Sequence, residues 1–343
     1  MALKKVLRKW YENYWENLPD GLKNFLMNQY ERLNLSHRIN PTLHDAFKKC
    51  FALNTRGLFA HCDTRNFAQL SSTKNVNFQI TDNSQNIYVC SDAIPRFKKY
   101  KLNQIRNNFV LFSGDSDLTI NSENLALECL QTILDNPYLD KWYAQNLDFS
   151  HPKLIHVPIG MDYHTDYYQH SLHPYDQEIT IKNILKSSQN TFRRARLAYS
   201  NWHFALDRGD RKACYKNTPK NACFYEPDRV SRKKAWQNQA KYAFCLSPEG
   251  AGYDCHRTYE AILLGAIPIV KENCLSKMYS KLPIIIVRDY SEITQGFLDE
   301  VLEKISSQRF DFSSIVMKTY TNSKSLDFEN LTFDEFQEIF LRS

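Results

Sequence analysis

The run from 242 to 271, YAFCLSPEGAGYDCHRTYEAILLGAIPIVK, constrains the fold more than any other part of this chain. It reads as strand, glycine loop, helix and strand. Residues 242–246 form a short apolar run suited to a buried strand. Pro248, Gly250 and Gly252 stop that strand and impose a loop. Asp254 is placed to cap a helix that begins near Cys255. Residues 258–264 carry apolar side chains on one helical face, Gly265 supplies the stop, and 266–270 is the next strand. A glycine loop that opens a helix lets backbone N–H groups approach a phosphate, and the helix dipole favours the anion. His256 and Arg257 fall in the first helical turn, within reach of that anion, and Glu260 lies one turn on, where it can accept from ribose hydroxyls.

The segment resembles the C-terminal donor-binding motif of GT-B glycosyltransferases, most closely the exostosin-like group and its bacterial and large-virus relatives. The matching residues are Ser247-Pro248, Glu249, Gly250, Gly252, Asp254-Cys255-His256-Arg257, Glu260-Ala261, Gly265 and Ile267-Pro268-Ile269-Val270. The resemblance implies a nucleotide-sugar site, with the diphosphate near the loop and helix start and Glu260 on the ribose. With two arginines placed by their position after a strand end, the candidate donor-binding set is Arg208, Arg211, Ser247, Glu249, Gly250, Gly252, Asp254, His256, Arg257, Thr258 and Glu260. A lone Gly-x-Gly would mark only a generic βαβ turn. Rossmann dehydrogenases also use a glycine loop at a helix start, but the third glycine is missing here and the loop comes late in the chain.

A second stretch points the same way. Pro158-Ile159-Gly160-Met161-Asp162-Tyr163-His164-Thr165 follows an apolar run and looks like the segment that ends the N-terminal domain in relatives of that group. Asp162 and His164 lie just past a strand end, where either can serve as the general base that deprotonates an acceptor hydroxyl. The alternative is a turn in which Asp162 caps backbone N–H groups. Asp115-Ser116-Asp117 also follows a strand pattern. Read alone it is an Asp-x-Asp motif of the kind that holds a divalent metal. The late motif is not of that type, so an acceptor-side or general-base role for Asp115 or Asp117 is preferred, with helix capping as the competing reading. Arg193, Arg194 and Arg196 start the first strand of the second half, while Arg208 and Arg211 follow it and are better placed to stabilise a departing diphosphate.

Size and composition fit this picture. A chain of 343 residues favours two domains, and 43% hydrophobic residues suffice for sizeable cores. The net charge of +6 is mild; it suits an anionic nucleotide substrate and does not demand nucleic acid. Nine scattered cysteines without a Cys-x-x-Cys argue against a zinc cluster or a disulfide framework and for a reducing, cytoplasmic compartment. No window approaches 18 apolar residues, so no membrane-spanning helix is expected. The opening MALKKVLRKWYENYWENL lacks a long apolar core and is not read as a secretory signal. Its basic and aromatic residues at helical spacing permit peripheral membrane contact, though an ordinary amphipathic surface helix is the simpler reading.

Strand patterns at 86–91, 108–113 and 153–159 alternate with a basic helix or turn at 95–103 and a helix at 122–134, with 142–146 short and extended. A weakly patterned, Tyr- and His-rich stretch at 166–188 marks the crossover. A second set follows, with a strand at 195–204, a basic helix at 229–241, a strand at 282–288 and closing helices at 293–306 and 333–341. The expected architecture is therefore α/β, with two Rossmann-like domains facing a central cleft as in GT-B: an acceptor-binding domain at 1–170, a nucleotide-sugar domain at 185–310, and a helical tail at 311–343 that packs back. The expected activity is a hexosyl- or pentosyltransferase moving sugar from a UDP- or GDP-sugar to an oligosaccharide or glycolipid acceptor, inverting and without metal or other cofactor. The alternatives are a metal-dependent transferase using Asp115 and Asp117, and a catalytically silent module that binds glycan or nucleotide.

Overall fold

A computed structural model describes residues 46–65, 74, 76, 78–164, 173–321 and 327–343. The basic, aromatic opening stretch, Thr165 and residues 166–172 of the crossover lie outside the described residues. Two five-stranded sheets, each wholly parallel, account for all the strands among the described residues. The first contains β1 (Thr64–Arg65), β2 (Asn86–Cys90), β3 (Phe109–Gly114), β4 (Leu139–Ala144) and β5 (Leu154–His156), in that spatial order. The second contains β6 (Ala195–Ser200), β7 (Cys223–Tyr225), β8 (Tyr242–Leu246), β9 (Ile267–Lys271) and β10 (Ile285–Val287), ordered β10-β9-β8-β6-β7. From β6 the chain first steps outward to β7, then returns to lay β8 on the other side of β6. Strand order therefore reverses between β6 and β8, and a ligand crevice opens beyond the carboxyl ends at such a reversal.

The first sheet is buried on both faces, as parallel strands require. Ile87, Val89, Phe109 and Leu111 point into one core, packed with α2 (Ile94–Tyr100) and α3 (Leu127–Leu134), while Tyr88 and Phe112 point into another with Leu58 and Phe59 of α1 (Thr55–His61). The single helix expected over 122–134 is two pieces, because Ala126 has φ 58° and interrupts it. The tail returns to this sheet: Met317 joins the Tyr88 and Phe112 core, and its N–H donates to Phe51 O at 2.9 Å.

Three elements have weak sequence signals. One is α4 (Pro174–Ser187), which falls within the stretch read as a crossover. Its buried face includes Gln177 and Glu178, so the apolar period of an amphipathic helix is broken. The other two are β7 and α5 (Arg211–Asn217), short segments of three and seven residues.

Glu178 shows what α4 does. Its carboxylate accepts the Phe51 N–H at 2.9 Å, the Ala52 N–H at 3.0 Å and the Tyr163 hydroxyl at 3.2 Å. It thereby ties the segment at 50–54 to the second half of the chain, where Phe51 also packs on Phe328, Phe336 and Phe340. Burial raises the Glu178 pKa, and the two backbone N–H groups oppose that rise. Glu178→Ala strands two buried donors, each costing about 1–3 kcal/mol. Its melting temperature should fall well below that of Glu178→Gln, which keeps one carbonyl oxygen; equal melting of the two variants would disprove the clamp.

Candidate functional site

The loop after β8 is held from three sides. Asp210 accepts the Glu249 N–H at 2.8 Å through one oxygen and the Tyr290 hydroxyl at 2.6 Å through the other. Gly209, with φ 51°, lies so close to the carbonyls of Glu249 and Gly250 that a Cβ would strike them. Gly252 meets the first half of the chain: a Cβ there would lie 3.1 Å from Asn146 Nδ2 and 3.4 Å from Asp117 O. Gly250 leaves room for the Arg211 guanidinium, whose Nη2 lies 3.7 Å from where its Cβ would be.

Beyond this loop lies a cavity of about 560 Å³ at the reversal between β6 and β8. Five arginines line it: Arg208, Arg211, Arg229, Arg232 and Arg257. Arg257, in the first turn of α7 (His256–Leu263), donates to Pro248 O at 3.1 Å and lies 5.9 Å from the Trp202 ring centre. Trp202 is itself fixed by its Nε1–H to Leu246 O at 3.0 Å. The Arg211 pKa is lowered, first by burial and then by the neighbouring Arg257 and Arg208 charges. A cluster of like charges that lowers its own members' affinity for protons is a site that gains from an anion. Glu260 also lines the cavity and accepts from Arg232 Nη2 at 2.6 Å, while Arg232 bonds Gln177 Oε1 at 2.8 Å and stacks 4.6 Å from Trp236. Arg229, Arg232 and Asp210 are absent from the set read out of the sequence; the first two lie in a basic run that looks like an ordinary solvated helix face.

Several expected donor-binding side chains have other partners. Asp254 is only 4% exposed, and α7 is capped by Cys255 rather than by Asp254. The Asp254 carboxylate accepts the Ile159 N–H at 2.8 Å, the Cys255 N–H at 3.0 Å, the Tyr259 hydroxyl at 2.7 Å and the Tyr279 hydroxyl at 2.9 Å. Its own N–H donates to Asn146 Oδ1 at 2.9 Å. It is the joint between the halves. Ser247 and Thr258 are buried and bond each other at 2.9 Å, fastening α7 to β8. Glu249 Oε1 accepts from Asn273 at 2.9 Å, and Glu249 is not among the residues lining the cavity. His256 lines it and places Nδ1 2.7 Å from Gly160 O. A carbonyl only accepts, so Nδ1 carries a hydrogen, and in the neutral ring Nε2 is the acceptor.

Of the four expected base candidates, only Asp117 lines the cavity. Asp115 is paired with Arg56 at 3.1 Å, both side chains being about 5% exposed. It follows β3 at φ 59°, in the left-handed region that Asp tolerates, and its N–H donates to Gln145 Oε1 at 3.1 Å. Asp162 is buried and accepts the His164 N–H at 3.3 Å, the turn geometry foreseen as its alternative role. His164 does not line the cavity; it lies 3.9 Å from Asp115, 3.3 Å from Asp162 and with its ring centre 6.0 Å from that of His256. Burial pulls its pKa down to about 4, against the opposing pull of Asp162, so the ring is neutral near pH 7. Among the described residues no three His, Cys, Asp or Glu side chains gather as a metal-binding group. Among the described residues no helix is long and apolar enough to cross a membrane. Neither a model of a known protein family nor a curated protein matches this chain.

Two outcomes follow from this geometry. Because the folded His164 binds a proton less readily than the unfolded one, stability should be lost as pH falls from 6.5 to about 4. His164→Asn should flatten that slope in denaturant titrations run across the interval, and an unchanged slope would place the titration elsewhere. Asp254→Ala leaves the Ile159 and Cys255 N–H groups and two tyrosine hydroxyls unpaired, each stranded buried donor costing about 1–3 kcal/mol. A melting temperature within a degree or two of wild type would rule out Asp254 as the joint.

Proposed function

We propose that this protein is a glycosyltransferase of GT-B architecture, moving a sugar from a UDP- or GDP-linked donor to a glycan hydroxyl with inversion at the anomeric carbon. One observation carries the reading. Arg208, Arg211 and Arg257 gather beside a glycine loop and the start of a helix, at the strand reversal of the second sheet, and Asp117 from the first sheet lines the same cavity. Guanidinium forks and a helix N-terminus suit a diphosphate, and Glu260, steadied by Arg232, suits the ribose diol.

In this reading Asp117 takes the proton of the acceptor hydroxyl. The oxygen attacks the anomeric carbon from the face opposite the diphosphate. The bond between sugar and phosphate breaks, and its electrons go to the leaving nucleoside diphosphate. Arg208, Arg211 and Arg257 neutralise the charge that develops there, which is where preorganised electrostatics act most strongly. His256, with Nδ1 bonded to Gly160 O, turns its other ring nitrogen to the same task when protonated. The acceptor then enters from the side of the first sheet. The Arg56–Asp115 ion pair favours this reading over a metal held jointly by Asp115 and Asp117, since a guanidinium already compensates the Asp115 carboxylate.

The silent-module reading is favoured by the withdrawal of Asp115, Asp162 and His164 from the cavity lining, which leaves Asp117 as the only one of the four base candidates there. Thermal shift with UDP, GDP, CMP and their sugars, paired with donor turnover, separates the two. We expect UDP or GDP to raise the melting temperature and Arg257→Ala to abolish the shift. Asp117→Asn should keep the shift while lowering kcat roughly a hundred- to ten-thousand-fold, the range for a lost general base. Nucleotide binding with no transfer or donor hydrolysis by wild type would establish the silent module, and no shift with any nucleotide would overturn both.

A further inference from the structure

A second and larger concavity, about 770 Å³, lies away from the arginine-lined cleft, between α4, the turn at 188–194 and α6 (Arg232–Gln239). We propose that it is a separate anion site, for a compact ligand that carries several phosphates on a hydroxyl-rich scaffold. This does not rest on the transferase reading. Lys233, Lys234, Lys241 and Arg194 line the groove, and no carboxylate does.

The placement of two of these lysines is the argument. Lys233 and Lys234 sit in the first turn of α6, which contains no acidic residue. Positive charge is disfavoured at that end of a helix. Arg232 beside them is compensated by Glu260 and donates a further hydrogen bond to Gln177, but neither Lys233 nor Lys234 has a carboxylate within ion-pair distance among the described residues. Helix stability therefore does not explain them. Lys241, past the far end of the helix, is held toward Asn238 Oδ1 at 3.0 Å. Arg194 closes the floor, 4% exposed, giving its N–H groups to the carbonyls of Gln189, Leu264 and Gly265 and to no carboxylate.

The polar wall defines the rest of the ligand. Thr180, Ser187 and Ser188 already donate their hydroxyl hydrogens to backbone carbonyls of α4. Their oxygens are left as acceptors, which match ligand O–H groups rather than phosphate. Lysine donors and hydroxyl acceptors side by side fit phosphates and free hydroxyls on one scaffold. The volume admits such a molecule, free in solution or as the headgroup of a lipid, and is too small for a nucleic-acid duplex.

The test is calorimetric titration of the full chain with inositol hexakisphosphate. Lys233→Gln/Lys234→Gln should weaken binding about tenfold or more, as loss of charge-assisted contacts does. It should leave any UDP- or GDP-induced thermal shift intact, while Arg257→Ala leaves inositol hexakisphosphate binding intact. No binding by wild type, equal binding by the double variant, or loss on Arg257→Ala would each overturn the proposal, the last by assigning the ligand to the cleft. Sedimentation with phosphatidylcholine vesicles, with and without phosphatidylinositol bisphosphate, then identifies the source. Lysine-dependent sedimentation means a lipid headgroup; binding of the free ligand alone means a soluble polyphosphate.

Discussion

The Asp254 carboxylate, buried where the two halves of the chain meet, is the interaction on which the site depends. It accepts from Ile159 at the end of the first half and from Cys255, Tyr259 and Tyr279 in the second. Burial alone raises its pKa, and those donors, with His256 nearby, oppose the rise. A carboxylate so placed is costly to desolvate and costly to strand, so the halves can hardly separate there without losing the whole network. Asn146 and Gly252 complete the joint from either side, one by a hydrogen bond and the other by leaving no side chain in the way. The cavity that opens beyond it inherits a defined floor, with the glycine loop and Asp117 at a set separation.

Charge is sorted around that floor. Cations gather on the side of the second sheet, where the strand reversal and the helix start already favour an anion. The carboxylates of the first half are mostly withdrawn: Asp115 to Arg56, Asp162 to the turn at His164. Withdrawal has a structural logic. Two free acidic groups at the ends of adjacent loops would repel any anion that the arginines favour, whereas buried and paired ones shape the loops without projecting charge. Asp117, left exposed, is the exception.

Much of this was legible in the residues. The run at 242–271 reads as strand, loop, helix and strand because glycine, proline and apolar period all agree, and β8, α7 and β9 follow it closely. Signals failed where polar residues are buried. Glu178 and Gln177 face a core, so α4 has no clean apolar stripe. Asp254 looks like a helix cap because a carboxylate beside a helix start usually is one; Cys255 caps the helix instead, and the four donors to Asp254, two of them from Tyr259 and Tyr279, make it a joint at the edge of the cavity it lines. Arg229 and Arg232 read only as members of a basic helix, since nothing in a local run tells which side chain will face a cavity.

The amino-acid sequence by itself determined the alternation of strand and helix, the glycine loop, and the chemistry available near it: a histidine, an arginine and a glutamate in the first turns of one helix. These are properties of neighbours along the chain, set by backbone freedom and the spacing of apolar residues. Which carboxylates meet solvent was decided only by the tertiary structure. The burial of the Asp115 and Asp254 carboxylates arises from contacts between segments tens to more than a hundred residues apart, such as Arg56 with Asp115 and Asn146 with Asp254. Desolvation and pairing across such distances leave no trace in local pattern, because any one of these aspartates would read the same in its own loop.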